Sequence, residues 1–167
     1  DVPVSEYRNY WAFAVLADVR NGMGFAGFST GAPVQPISQP RGLPDDISVG
    51  LQARLEAGGE GALLPEEQNI WLGDHSHSWV TLRELLDYDL DAPMVVTGYV
   101  SEKQAEHYRQ TGEFPTAHMT WTSQPGFVKM SWVETIRDQA PLIADLINDM
   151  QGLGDPEHVR LVFGFDS

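Results

Sequence analysis

The chain has 167 residues and a formal net charge of −14, from 24 acidic and 10 basic residues. Hydrophobic residues make up 42% of it, which is enough apolar mass for a folded domain and excludes wholesale disorder. The absence of cysteine excludes disulfides, thiolate zinc sites and cysteine nucleophiles. The acidity disfavours ordinary binding to a phosphate backbone and indicates either a solubilising surface or a partner with a basic groove.

The first third of the chain predicts few regular elements. The stretch DVPVSEYRNYWAF lacks a basic segment, so we expect no signal peptide in it. The apolar run NYWAFAVLA (9–17) predicts a buried strand. Residues 21–61 are rich in glycine and proline and predict an ordered loop, interrupted by a helix over 48–57. Four apolar residues of this loop are expected to be buried: Phe25, Phe28, Val34 and Ile37.

Capping boxes mark two helices in the middle of the chain. Thr81 followed by Glu84 predicts a helix over 82–88, because each side chain can satisfy an unpaired backbone N–H. The same pattern recurs in SEKQ (101–104) and predicts the start of a second helix, which Gly112 ends.

Strands are predicted from apolar alternation and flanking turns. MVVTGYV (94–100) and HVRLVFGF (158–165) each predict one strand. TAHMTWTS (116–123) and GFVKMSWVETI (126–136), joined through Gln-Pro-Gly, predict a β-hairpin.

Asp138 predicts the cap of a last helix over 139–150, with Pro141 in its first turn, where a missing N–H costs little. Strands and helices therefore mix without a regular βαβ repeat. We expect a single α+β domain over residues 1–167. It would have a mainly antiparallel sheet, helices packed on one face, and a long, ordered loop region rich in glycine and proline.

Two stretches match a known binding motif only in part. GMGFAG (22–27) matches the dinucleotide-binding spacing, but prolines follow where a helix is required, so it predicts a glycine-rich turn. DYDLDAPMVVTG (87–98) lacks the glycine and the final glutamate of a calcium loop. Its acids indicate a solvated edge or a row of carboxylates that contacts a basic partner. The candidate partner-binding residues are Glu84, Asp87, Asp89 and Asp91.

The stretch GDHSHSW (73–79) is a candidate metal site. If it is extended, His75 and His77 point to the same side, where both imidazoles could bind one zinc-like ion. Asp74 is the nearest carboxylate, although it would face away unless the backbone bends. Further candidate ligands are His107, His118, His158, Asp18 and Asp166. The alternative is a polar turn whose side chains satisfy backbone groups before the helix at Thr81.

Four stretches together resemble a group of small phage- and prophage-encoded proteins of unknown function. They are YWAFAVLADVRNGMGFAGFSTG, PRGLPDD, WLGDHSHSWVTLRELLDYD and VRLVFGFDS. The resemblance implies an accessory protein expressed in the host bacterial cytoplasm, and it carries over no catalytic role.

The leading hypothesis is a phage-type accessory protein that binds a host macromolecule through its acidic surface, as a defence inhibitor or a nucleic-acid mimic. The expected partner is a host protein with a basic surface. Neither direct nucleic-acid binding nor membrane insertion is expected. Two alternatives stay open: a metal-dependent hydrolase centred on His75 and His77, and a virion or assembly component.

Overall fold

The computed structural model describes residues 8–56, 72–73, 75–113 and 119–165. Within these ranges the chain has an α+β fold, as predicted. The helices are α1 (Tyr10–Ala17), α2 (Val49–Glu56), α3 (Leu82–Asp87), α4 (Glu102–Thr111), α5 (Ile136–Gln139) and α6 (Pro141–Met150). The strands are β1 (His75–Thr81), β2 (Pro93–Ser101), β3 (Phe127–Thr135) and β4 (Arg160–Phe165).

The described strands form two separate two-stranded antiparallel sheets instead of one larger sheet. One sheet pairs β1 with β4, and the other pairs β2 with β3. Burial alternates along β2, so this second sheet turns one face to the core and leaves the other exposed.

One cluster of buried apolar side chains joins both sheets to the helices. Its most deeply buried members include Leu82 and Leu85 of α3, Ile136 of α5 and Ile143 of α6, each at most 1% exposed. Removal of such apolar surface from water is the main favourable term in folding. The cluster therefore holds β1, α3 and the acidic connection to β2 in a defined position.

Both predicted capping boxes are confirmed. The Thr81 hydroxyl accepts from the Glu84 N–H at 3.1 Å, and the Glu84 carboxylate accepts from the Thr81 N–H at 2.8 Å. Ser101 and Gln104 make the same reciprocal pair at the start of α4. Gly112 ends α4 in the left-handed conformation, at φ 73°.

Residues 9–17 were predicted as a strand, and this prediction is wrong because they form helix α1. The Asn9 side chain caps the helix by accepting from the Ala12 N–H at 3.0 Å, and Asp18 ends it at φ 57°. Most of its residues are buried, so it has no polar face. A short apolar run without a polar face carries no periodicity that distinguishes a helix from a strand.

The predicted hairpin between 116–123 and 126–136 is also wrong over its described part. β3 pairs with β2, and within 119–123 Thr120 forms an isolated bridge to Tyr99. Residues 116–118 lie outside the described ranges. The β2–β3 register places the buried side chains Val96 and Trp132 opposite each other, so burial in the core favours this pairing.

Asp138 does not cap the last helix. It lies inside α5, where it forms a capping box with Thr135: the Thr135 hydroxyl accepts from the Asp138 N–H, and the Asp138 carboxylate accepts from the Thr135 N–H. The last helix, α6, begins at Pro141 without a side-chain cap, and the proline lies in its first turn as predicted.

The glycine- and proline-rich loop is partly packed against the core. Val34 and Ile37 were predicted to be buried; both are partly buried and pack against the buried cluster. Phe25 and Phe28 are 65% and 41% exposed, so the prediction that they are buried is wrong. Both lie in a turn closed by a hydrogen bond from Gly24 N to Phe28 O at 2.7 Å.

Candidate functional site

The predicted histidine pair begins β1, where the pairing of this strand with β4 is irregular. Between His75 and Ser78, β1 has one residue more than the facing segment of β4. Ser76 has a positive φ of 53°, outside the extended conformation. This bulge removes the regular alternation on which the same-side expectation for His75 and His77 depended.

Each imidazole already has a hydrogen-bond partner. His75 Nδ1 lies 2.9 Å from the Ser76 hydroxyl, and His77 Nε2 lies 3.1 Å from the Gly73 carbonyl oxygen. Because a carbonyl only accepts, this hydrogen bond requires a proton on Nε2 of His77. With this bond in place, His77 offers a metal only Nδ1.

Two glycines let the chain before β1 cross close to β4. Gly73 has φ 81°, a conformation that side chains disfavour. A Cβ at Gly164 of β4 would lie 1.9 Å from the Leu72 carbonyl oxygen and 2.7 Å from His77 Cδ2. The position of His77 therefore depends on the absence of a side chain at residue 164.

The candidate ligands that the structure describes are not brought to this pair. No group of three potential metal ligands occurs within the described part of the chain. Asp18 ends α1, and His107 bonds Glu113 at 2.8 Å. Nδ1 of His158 lies 3.7 Å from Oδ2 of Asp155. Three candidates fall outside the described residues: Asp74, His118 and Asp166.

The metal-dependent interpretation of His75 and His77 stays a prediction. It requires about one zinc-like ion per chain of purified protein, measured by elemental mass spectrometry, and loss of that ion in the His75→Ala/His77→Ala variant. A matched His158→Ala variant removes an exposed histidine elsewhere and should keep the metal. Equal metal contents in the wild type and the double variant contradict the interpretation.

Among the candidate partner-binding carboxylates, Glu84 is held within its own fold. Besides its capping bond, it accepts from Arg41 through Nη1 at 3.0 Å and through Nη2 at 2.5 Å. The two side chains are 28% and 31% exposed for Arg41 and Glu84. The Arg41 guanidinium lowers the pKa of the Glu84 carboxyl, with a further contribution from its backbone bond to Thr81.

Arg41 also belongs to a cluster that sequence analysis did not find. Its guanidinium lies 4.8 Å from the centre of the Trp79 indole ring, and that of Arg160 lies 5.6 Å from the same ring. Arg160 in turn bonds Asp46 at 2.8 Å. These contacts attach residues 41–46 of the long loop to β1 and β4. No local spacing in the sequence relates the loop to these strands.

The last residue of α3 and its connection to β2 present three carboxylates, Asp87, Asp89 and Asp91, which we call the acidic turn. Asp91 binds Arg137 through Nε at 2.8 Å and Nη2 at 3.1 Å, and this guanidinium lowers the pKa of Asp91. Asp89 accepts from the Asp91 N–H at 3.0 Å, which stabilises the turn. Asp87 and Asp89 are exposed, and neither forms an ion pair with any residue that the structure describes.

Comparisons of the chain with protein-family models, with curated proteins and with solved structures found no match. Over the described ranges, no helix is both long enough and apolar enough to cross a bilayer. Function has therefore to be inferred from the side chains themselves.

Proposed function

We propose that this chain is a phage-type accessory protein that binds a basic surface of a host protein in the bacterial cytoplasm through its acidic turn. A basic groove that normally binds nucleic acid is the surface that best complements it. By occupying such a groove, the chain acts as a nucleic-acid mimic that inhibits a host defence or regulatory protein. The resemblance to phage and prophage proteins supports this setting.

The observation that carries the proposal is that Asp87 and Asp89 are exposed and form no ion pair with a described residue, on a chain with a net charge of −14. Uncompensated carboxylates on an acidic protein attract a basic surface and speed its approach. Asp91 adds a carboxylate whose position Arg137 fixes. Because these charges are exposed, the interaction should weaken with added salt.

Glu84 is left out of the proposed contact surface. Its carboxylate is engaged by Arg41 and by the capping bond to Thr81. A partner that bound Glu84 would have to replace both interactions, whereas Asp87 needs no such exchange. We therefore assign Glu84 a structural role and test it separately.

Reversing the charge of the acidic turn tests the proposal. The Asp87→Lys/Asp89→Lys variant should lose capture of its partner from bacterial lysate, because the attractive charges become repulsive. The amount captured by immobilised protein is measured by quantitative mass spectrometry. Binding through two exposed charge pairs should fall by about tenfold or more.

A matched control separates a local effect from a change in overall charge. The Asp145→Lys/Asp149→Lys variant makes the same change in net charge at two exposed positions of α6 and should retain the partner. Soluble DNA should displace the partner if its groove normally binds nucleic acid. Equal capture by the wild type and by both variants contradicts binding through the acidic turn.

A further inference from the structure

Among the described residues, the β2–β3 sheet has one covered edge, on β2. Val95 O accepts from Ala32 N at 3.0 Å, and Thr97 N donates to Thr30 O at 2.8 Å. Tyr99 N donates to Thr120 O, and Tyr99 O accepts from Thr120 N on the same edge. The backbone polar groups of three alternate β2 residues therefore point away from β3.

The antiparallel register fixes the direction of the facing groups on β3. Lys129, Ser131 and Val133 lie opposite these three β2 residues. In an antiparallel ladder, two opposed residues either bond each other or both point outward. The N–H and C=O groups of Lys129, Ser131 and Val133 therefore point to the outer edge of the sheet, where no described residue bonds them. Such an edge is a template for another extended chain.

We call the outer edge of β3 over residues 129–133 the open edge, because no described residue bonds its backbone groups. Backbone groups at both of its ends are already bonded. At one end the Phe127 N–H donates to Gln124 O at 3.1 Å, and at the other the Thr135 N–H donates to the Asp138 carboxylate at 3.0 Å. The segment 129–133 between them exposes alternate side chains on the outer face of the sheet. It is long enough to pair with a short extended segment.

An acidic groove of about 410 Å³ lies on the other face, between α4 and β3. It is lined by Glu102, Glu106, Arg109 and Val128. Glu106 is bonded to Arg109 at 3.2 Å, whereas Glu102 forms no ion pair with any residue of the described ranges. The groove therefore places an uncompensated carboxylate beside the start of β3.

We propose that the open edge of β3 binds an extended, basic segment of the partner as an additional β-strand. Side chains of an added strand alternate between its two faces, so those that face the groove near Val128 would lie beside Glu102 and Glu106. Lysine or arginine fits those positions. The intervening residues would lie beside Lys129 and Val133, which favours uncharged side chains there. The inference rests on the proposed function for the basic character of the partner.

Charge argues against a second copy of the chain as the occupant. Two chains that each carry a net charge of −14 repel each other. Lys129 on the open edge is also a common protection against pairing between identical edges. A basic segment is instead attracted to the acidic chain. Backbone hydrogen bonds to β3 supply affinity, and the carboxylates of the groove select a positively charged segment.

The first experiment uses a short synthetic peptide in which lysine alternates with threonine, at low salt. Binding should slow the hydrogen exchange of the backbone amides of Lys129, Ser131 and Val133 by at least about tenfold, measured by NMR. The control peptide has the same sequence with N-methylated backbone amides, so it keeps the charge and loses the ladder donors. Absence of binding, binding without protection of these amides, or equal binding of the control peptide would overturn the inference.

The second experiment tests the groove with a variant that leaves the sheet unchanged. Glu102→Gln/Glu106→Gln should weaken binding of the alternating peptide about fivefold, as expected for two exposed charges. The Asp87→Lys/Asp89→Lys variant should change peptide affinity much less, so failure at the strand edge and failure at the acidic turn are distinguishable. Protection of the same amides at high protein concentration without peptide would overturn the inference in favour of a second copy.

Discussion

Replacing Gly164 by alanine is expected to lower the free energy of unfolding by about 3 kcal/mol, the upper end of the usual cost of overpacking. The added Cβ would lie 1.9 Å from the Leu72 carbonyl oxygen and 2.7 Å from His77 Cδ2. Because the first of these atoms belongs to the backbone, the segment before β1 must move away from β4. The thermal midpoint should fall by about 6–12 °C for a chain of this size.

Gly50→Ala is the matched control for this substitution. Gly50 lies in α2, and a Cβ there has no atom of the described residues within 4 Å. The same chemical change should therefore increase stability, by up to about 1 kcal/mol, because alanine is the better helix former. Urea denaturation of both variants measures the two effects. If Gly164→Ala were as stable as the wild type, the close crossing of Leu72 over β4 would be wrong.

The elements that sequence analysis predicted correctly depend on local chemistry. A capping box joins residues three apart, so Thr81 with Glu84 and Ser101 with Gln104 could be recognised without tertiary information. The prediction was wrong where two nearby residues, Thr135 and Asp138, could each cap a helix. The sequence predicted Asp138 as the cap of the last helix, whereas Asp138 lies inside α5 as the capping-box partner of Thr135.

The missed features depend on contacts that no local pattern specifies. The strand β3 could have paired with the segment just before it or with β2, and burial of Trp132 opposite Val96 accompanies the second choice. Helix α1 was missed because burial on nearly all sides removes its polar face. Both errors arise where tertiary packing overrides a short sequence signal.

The sequence identified the charged residues of the candidate site, but it did not identify which residues pair with them. The carboxylates of Glu84 and Asp91 are recognisable in the sequence, but their arginine partners are 43 and 46 residues away. The histidines were equally visible, whereas the bulge at Ser76 that sets their directions was not. The fold is therefore needed to distinguish the carboxylates that form internal ion pairs from those that do not.

Glu84→Ala is expected to lower the free energy of unfolding by about 2 kcal/mol. Loss of the capping bond to Thr81 accounts for about 1 kcal/mol, and loss of the charge-assisted bonds to Arg41 adds a similar amount after screening by solvent. Partner capture should be retained at temperatures where the variant is folded, since Glu84 lies outside the proposed contact surface. Loss of capture by a folded Glu84→Ala variant would contradict that assignment.

Glu84→Gln separates the charge from the cap, because glutamine serves the same capping role in α4, at Gln104. Arg41 lowers the pKa of Glu84 in the folded chain, so the stability that this charge adds is fully present above the unfolded pKa of about 4.3. It is lost as the pH falls through the lowered folded pKa. Urea denaturation should therefore find the wild type more stable than Glu84→Gln at pH 7, with the difference shrinking towards pH 3. Glu157→Gln, which removes the charge of an exposed ion pair with Arg83, should change little at either pH, and an undiminished Glu84→Gln difference at pH 3 would refute the role of the Arg41 pair.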